Sequence, residues 1–219
     1  IDNYNIRKSF CGGITWETPL EGLRLGAFWL TIDLKLSGVL RRDVTIPISV
    51  PPYIITVARE GDPVFSKVPD FKRIVYSLEY TWGNLVLAAE YFRQDQTTST
   101  YITNMEPIKR EFKFDGFYGS AAYRFFDRIE TGMYYSVFYK NRDDRDGTKT
   151  PYNPNFFAYQ KDACLSFRFD MNDHWTFKLE GHLMNGTGLC FSQDNLDDKG
   201  NLEFTKKWHL LAAKMTYSF

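Results

Sequence analysis

The chain has 219 residues, 43% of them hydrophobic, a mean hydropathy of −0.39 and no formal net charge, from 27 basic and 27 acidic side chains. This length and composition exclude a disordered chain, and the balanced charge argues against a nucleic-acid partner, which would require a basic excess. The longest uncharged apolar stretch, residues 25–32, is far shorter than the ~20 residues of a membrane-spanning helix. Aromatic residues make up 17% of the chain, more than a soluble core of this size readily holds.

The cysteines give no motif. Cys11, Cys164 and Cys190 show neither C-x-x-C nor C-x-x-C-H spacing, so we expect no covalent haem, no zinc ribbon, no cofactor and no metal site. The first residues lack an initiator Met and the basic and apolar segments of a signal peptide, which predicts a processed protein or part of a longer one.

The N-terminal part predicts two strands and a long loop. Apolar residues alternate with small or polar ones over residues 10–16 and 23–29, and residues 17–22 form a turn between the two strands. The segment 37–70 contains five prolines, which cannot donate to a strand ladder. We therefore expect an external loop with some strand character, or a constriction folded inward, and no further membrane strands.

The remainder of the chain predicts three hairpins and a final strand. In residues 73–82, Ile74, Tyr76 and Leu78 belong to one face of a strand, and Gly83-Asn84 supplies a tight turn. The same two-residue period recurs in residues 85–92, 117–125, 129–139, 162–170, 175–183 and 211–219. One face of these strands is uncharged and the other carries many charges.

Strand length and aromatic placement favour a transmembrane β-barrel over a soluble sandwich. The predicted strands run about 10 to 13 residues, whereas soluble strands run about 5 to 6 and tilted bilayer-crossing strands about 9 to 11. Aromatic residues gather at strand ends, as in interfacial girdles, and Gly119 and Gly181 on the apolar face would fill a soluble core poorly. The predicted fold class is therefore all-β, an antiparallel transmembrane β-barrel.

Connection lengths predict the orientation. Short turns at residues 83–84, 126–128 and 171–174 alternate with long polar segments at 94–113, 141–155 and 186–206. Outer-membrane barrels keep short turns in the periplasm and long loops outside. Asp143, Asp144 and Asp146 then belong to an external loop tip, where solvation is favoured over cation binding.

Strand parity indicates a part of a larger barrel. The pattern yields nine strands, and single-chain bacterial barrels have even numbers. We expect residues 1–219 to be the C-terminal portion of a barrel of about 16 to 18 strands, or a wall completed by a second chain.

At this point the sequence resembles a known family. The terminal LLAAKMTYSF is similar to the C-terminal assembly signal of Gram-negative outer-membrane barrels, and ETPLEGLRLGAFWL and DGFYGSAAYRFFDRIETGMYYSVFY resemble the C-terminal halves of general porins. The resemblance implies an outer-membrane location, contacts with lipid and the barrel assembly machinery, a possible trimer, and passive diffusion of small hydrophilic solutes or ions. The assembly-signal positions are Leu211, Ala213, Met215, Tyr217 and Phe219.

The charged face supplies the candidate pore lining. It carries both signs with no ring of one sign, so we expect weak ion selectivity, and cross-strand pairing of these charges is an equally weighted reading. The candidate residues are Arg73, Glu79, Glu90, Arg124, Glu130, Arg168, Asp170, Lys178, Glu180, His182 and Lys214.

Two other functions remain open as alternatives. A barrel enzyme would need a nucleophile, a base and an orienting group; His182 beside Glu180 is conceivable, but an ordinary pore-lining histidine is favoured and the protein is not expected to be an enzyme. A barrel that encloses a redox protein in an outer-membrane electron conduit is the other alternative.

Overall fold

A computed structural model describes residues 2–41, 43–47, 54–149, 154–190, 195 and 203–219. Within these residues the protein is built from β-strands and one short 3₁₀ turn, Asn155–Ala158. None of the helical residues described forms a segment long and apolar enough to cross a membrane. The strands are β1 (Asn3–Glu17), β2 (Leu23–Val39), β3 (Val44–Pro47), β4 (Ile54–Ala58), β5 (Pro63–Trp82), β6 (Leu85–Ile102), β7 (Ile108–Phe125), β8 (Ile129–Tyr139), β9 (Tyr159–Asp170), β10 (Trp175–Gly186) and β11 (Lys207–Tyr217).

Nine of these strands form one antiparallel sheet in the order β1-β2-β5-β6-β7-β8-β9-β10-β11. Apart from the separate β3-β4 hairpin, this is the order of the chain, as expected for strands joined by successive hairpins. The predicted all-β antiparallel class and the nine strands are confirmed. β1 and β11 stand at the two ends of the sheet order.

The short turns lie where the sequence predicts them. β5 and β6 are separated only by Gly83-Asn84, and Gly83 has a φ of 55°, which favours glycine. β7 and β8 flank residues 126–128, and β9 and β10 flank residues 171–174. These turns fix the hairpin registers, because a slip of one residue would move every side chain to the opposite face.

The predicted loop at residues 94–113 is wrong, because β6 continues to Ile102 and β7 begins at Ile108. The loss of apolar alternation led to the prediction of a loop. Thr97, Thr98 and Thr100 nevertheless favour extended backbone, because β-branched residues are enriched in strands. A strand that pairs with its neighbours can be polar on both faces where neither face packs against apolar groups.

The proline-containing segment 37–70 holds more strand than expected. β2 ends at Val39, β3 pairs with β4, and β5 begins at Pro63 and includes Pro69. A proline is tolerated at the first position of a strand, since no ladder donor is lost there. Residues 48–53 lie outside the described part of the chain, and the placement of this segment outside or within a channel stays a prediction.

The chain divides into two compact units. The first unit comprises Ile1–Gly12, Trp29–Ile74 and Gln94–Phe112. Within it, the rings of Phe65 and Tyr101 stack at 4.6 Å between centroids, and the Lys67 ammonium lies 5.0 Å from the Tyr101 centroid. In cation–π contacts of this kind the ammonium is attracted to the electron-rich face of the ring.

The second unit comprises Gly13–Phe28, Val75–Arg93 and Lys113–Phe219. Its sheet has two chemically different faces. Large apolar side chains on one face are strongly exposed, including Leu165 at 66%, Leu183 at 62% and Leu211 at 75%. This surface, which also includes Phe117 and Met133, is called the apolar face, and the opposite surface of the same strands is called the polar face.

Candidate functional site on the polar face

A row of charged side chains crosses five strands of the polar face. Arg124 lies opposite Glu130, which lies opposite Arg168. Arg168 lies opposite Lys178, and Lys178 lies opposite Lys214. The ladder registers of β7 to β11 therefore bring five residues that are spread over the sequence from 124 to 214 into one row.

The row is extended by an ion-pair network centred on Asp170. The guanidinium of Arg124 donates from Nη1 to Asp170 at 2.8 Å and from Nη2 to Glu130 at 3.1 Å. Arg168 Nε donates to the other Asp170 oxygen at 2.9 Å, and the Thr176 hydroxyl donates to that same oxygen. Single exposed pairs contribute little, but this one carboxylate of β9 accepts from Arg124 on β7 and from Thr176 on β10 and so links three strands.

Lys178 and Lys214 lie side by side but differ in their ion pairing. Lys178 Nζ lies 2.9 Å from Glu180 Oε1, which neutralises it locally. In the part of the chain that the structure describes, no ion pair is found for Lys214. The row therefore carries one cation without a carboxylate partner.

A second, more buried cluster lies on the same face, two or three rows away. The Tyr134 hydroxyl donates to Asp162 Oδ2 at 2.6 Å, and His182 Nδ1 lies 3.1 Å from the same oxygen. His182 Nε2 faces Cys164 Sγ at 3.9 Å. Asp162, Cys164 and His182 are 7%, 4% and 9% exposed, so solvent screens their interactions weakly.

Glu180 borders this cluster. One potential ligand atom from each of Cys164, Glu180 and His182 lies within 4.8 Å of the others. A thiol, an imidazole and a carboxylate at such distances can act together on a metal ion or on a proton.

The remaining pore-lining candidates are distributed over the fold. Arg73 belongs to the first unit. In the second unit, Glu79 lies 3.6 Å from Arg24 Nη1, and Glu90 lines a cavity of about 540 Å³ together with Asp115 and Arg145. Asp115 is 1% exposed and accepts a hydrogen bond from Arg145. The role of all these residues in a pore stays a prediction.

The acidic loop residues engage neighbouring groups of the protein. Asp144 Oδ1 accepts from the backbone N–H groups of Thr148 and Lys149 at 3.0 and 3.1 Å. Asp143 Oδ2 accepts from Lys113 Nζ at 2.6 Å, and this hydrogen bond holds the pKa of Asp143 below its ordinary value. Asp146 accepts from the Thr148 hydroxyl at 3.0 Å.

Burial affects two further groups outside the strands. Burial lowers the pKa of Lys140 and raises the pKa of the Cys190 thiol. Cys190 is therefore a weak nucleophile, since the thiolate is the reactive form.

The predicted assembly-signal residues follow the edge strand. Leu211, Ala213, Met215 and Tyr217 alternate along β11 and are all exposed, and Phe219 lies just beyond it. Tyr217 on β11 lies opposite Trp175 on β10, with 4.9 Å between the two ring centroids. Recognition by an assembly machinery stays a prediction.

Sequence reasoning overlooked the Tyr134-Asp162-Cys164-His182 cluster as a site. The signal was present in the hairpin, because the turn at residues 171–174 places Cys164 opposite His182. Glu180 and His182 are two residues apart on β10 and so share a face. The register between β9 and β10 would have placed Cys164 next to Glu180 and His182.

These two faces define the class. An antiparallel sheet of strands this long, with one exposed apolar face and one charged face, is the membrane-spanning sheet of the outer-membrane β-barrel class. Its place is the outer membrane.

Two solved structures are similar to this chain, and both are outer-membrane proteins of Vibrio cholerae. One is outer-membrane expressed OmpT, with a TM-score of 0.48 and 11% identity over 96% of this chain and 57% of that one. The other is OmpT folded in vitro, with a TM-score of 0.46 and 12% identity over 97% of this chain and 56% of that one. The chain thus spans little more than half the length of either. No family model and no curated protein matches it.

The expectation that the protein is not an enzyme requires correction. The polar face brings Cys164, His182 and Asp162 into the order thiol, imidazole and carboxylate. Nucleophilic catalysis uses such a set of nucleophile, base and orienting group. The exclusion of catalysis, which rested on finding no such set in the sequence, is withdrawn.

Proposed function

We propose that the chain forms the wall of a water-filled outer-membrane channel through which small hydrophilic solutes and ions diffuse passively. The polar face is the observation that carries this proposal. The row from Arg124 to Lys214 continues over five strands, and a surface with so many charges is stable only where water reaches it. Such a face opposite a lipid-facing one is the arrangement of a channel wall.

The proposed channel is weakly selective. Arg124, Arg168 and Lys178 all have carboxylate partners within 3.1 Å, so most of the row has no strong field of one sign. Lys214, which has no such partner among the described residues, gives the remaining preference for anions.

The wall is completed by further polypeptide in this proposal. Among the described residues, the strand order has β1 and β11 at its ends, and the two ladder edges there have no pairing strand; lipid cannot satisfy such edges. The added strands come from the same polypeptide or from a second chain. Cysteine cross-linking from β1 and β11 to neighbouring polypeptide distinguishes these sources.

The channel proposal is tested by conductance in planar bilayers under a KCl gradient. We expect open-channel current and a reversal potential well short of the ideal value for either ion. A folded, inserted barrel that includes the completing strands and shows no conductance contradicts the proposal, and haem absorbance in such a preparation favours a sheath around a redox protein instead. An ideal reversal potential contradicts weak selectivity.

Lys214→Glu tests the contribution of the row. We expect it to move the reversal potential towards cation preference, because it reverses the cation that lacks a carboxylate partner. Lys149→Glu makes the same charge change in the loop after β8 and serves as the matched control. Equal shifts in both variants would show that the row does not line the conducting path.

A further inference from the structure

We propose that Cys164, Glu180 and His182 bind a Zn²⁺ ion on the polar face. The proposal rests on the side-chain geometry of β9 and β10 and does not depend on channel activity. Cys164 lies directly opposite His182 in the ladder, and Glu180 precedes His182 by two residues. All three side chains therefore project from the same face.

The distances between the ligand atoms are compatible with a tetrahedrally coordinated ion. Zn²⁺ lies about 2.3 Å from a thiolate and about 2.0 to 2.1 Å from an imidazole nitrogen, which places the two ligand atoms roughly 3.6 Å apart in tetrahedral geometry. Cys164 Sγ and His182 Nε2 are 3.9 Å apart, and a carboxylate oxygen of Glu180 completes a set within 4.8 Å. The Cys164-His182 pair closes with a contraction of a few tenths of an ångström, and the Glu180 oxygen closes with a movement of up to about 1 Å, which a rotation of its flexible side chain supplies.

The histidine is oriented for coordination. His182 Nδ1 lies 3.1 and 3.2 Å from the two Asp162 oxygens, and the Tyr134 hydroxyl donates to the same carboxylate. The Nδ1–H group donates to Asp162 in this arrangement, which leaves the Nε2 lone pair directed towards Cys164. Histidine ligands of zinc commonly donate their second N–H to a carboxylate in this way.

The donor set favours zinc over the common hard cations. A thiolate is a soft ligand that Mg²⁺ and Ca²⁺ avoid, whereas Zn²⁺ accepts sulfur, nitrogen and oxygen donors. Three protein ligands leave a fourth position for water or a solute group. Glu180, whose side chain is 26% exposed, forms the accessible side of the site.

Lys178 competes with the ion for one ligand. Its ammonium lies 2.9 Å from Glu180 Oε1, so zinc must displace or share this ion pair. Lys178→Met frees the carboxylate and removes a repelling charge, and we expect it to tighten Zn²⁺ binding. A general adsorption of Zn²⁺ to the protein surface would not show this gain.

Calorimetric titration of the full chain, folded in detergent, with Zn²⁺ alone tests the site. We expect one ion per chain, at least a tenfold loss of affinity in Cys164→Ser, and a loss of about 10- to 100-fold in Asp162→Asn, which leaves the three ligands in place. Cys11→Ser and Cys190→Ser are the matched controls and should bind as the unmodified chain does. Equal affinity in Cys164→Ser and Cys190→Ser overturns the proposal.

A second measurement uses the unmodified chain and so does not depend on the folding of any variant. After proteolysis and mass spectrometry, Zn²⁺ should slow alkylation of Cys164 and leave that of exposed Cys11 unchanged. Alkylation of Cys164 that is equally fast with and without Zn²⁺ overturns the site and leaves the thiol to act as a nucleophile beside His182.

Discussion

At the scale of single residues, two glycines of β7 have opposite surroundings. A Cβ atom on Gly116 would lie 2.6 Å from the Val137 carbonyl oxygen and 2.7 Å from a Phe92 ring carbon. A Cβ atom on Gly119, on the apolar face, would meet nothing within 4 Å. Gly116 therefore provides room for the rings of Phe92 and Phe138, which stack at 6.3 Å.

We expect Gly116→Ala to destabilise the protein by about 1 to 3 kcal/mol, because the carbonyl and the ring must both move. Gly119→Ala should change stability by no more than about 0.5 kcal/mol. Urea unfolding of the lipid-reconstituted protein, followed by tryptophan fluorescence, measures both. A loss of stability in Gly119→Ala as large as that in Gly116→Ala would contradict this account of the packing.

The loop ion pair gives a pH dependence of known sign. Lys113 donates to Asp143, and the lowered pKa of Asp143 means that folding favours its ionised form. This contribution to stability is fully present above the ordinary carboxyl pKa of ~3.9 and is lost as the pH falls through the lowered value. Since Asp143 is exposed, the effect is local and screened by salt.

Lys113→Met should raise the pKa of Asp143 towards its ordinary value, as read from the carboxyl carbon shift by NMR titration. Lys149→Met is the control, because Lys149 Nζ contacts the backbone carbonyl of Asp143 at 3.4 Å and not its carboxylate. An equal rise in both variants would assign the lowered pKa to the general charge of the loop.

At the scale of elements, the sequence predicted the turns better than the strand ends. Gly83-Asn84 is a strong local signal, since glycine accepts the positive φ that the turn requires. The polar ends of β6 and β7 carry no apolar alternation, so periodicity stopped short of their true bounds. Pairing with a neighbouring strand, which sequence period does not report, extends them.

Because periodicity does not report strand pairing, the sequence predicted some of the site residues and not others. The charged row followed from alternation, because each member lies on the face opposite an apolar run. The cluster around His182 required the register between β9 and β10 and the hydrogen bonds of Asp162, which periodicity alone does not give.

The final strand offers a test of the predicted assembly signal. Phe219 is fully exposed, and the aromatic ring described nearest to it is that of Tyr217 at 6.5 Å, so its removal should cost the folded sheet little. We expect Phe219→Ser to reduce the amount of protein in the outer-membrane fraction severalfold while refolding in detergent is retained. Ser218→Ala is the control, and equal outer-membrane levels would argue against a signal at Phe219.

At the scale of the whole molecule, the tryptophans differ in their exposure to the surroundings of the sheet. Trp16, Trp29, Trp82 and Trp175 are between 38% and 70% exposed, whereas Trp208 is half-buried and donates from Nε1 to the Gly186 carbonyl at 3.1 Å. Exposed tryptophans on a membrane sheet contact lipid.

Phospholipids brominated on their acyl chains should therefore quench a variant that retains only Trp82 and spare a variant that retains only Trp208. The other tryptophans are replaced by phenylalanine in each variant. Fluorescence in reconstituted vesicles gives the measurement. Equal quenching of the two variants would contradict the assignment of the apolar and polar faces.

The exposed apolar face has a consequence for how this sequence can change over time. A side chain that points into fluid acyl chains has no rigid partner to complement, so leucine, methionine, valine and phenylalanine serve almost equally well there. Selection then preserves the alternation of apolar and polar residues, while the identity of each apolar residue is free to change. Relatives of such a sheet are better sought by the two-residue period of apolar and polar residues than by residue identity.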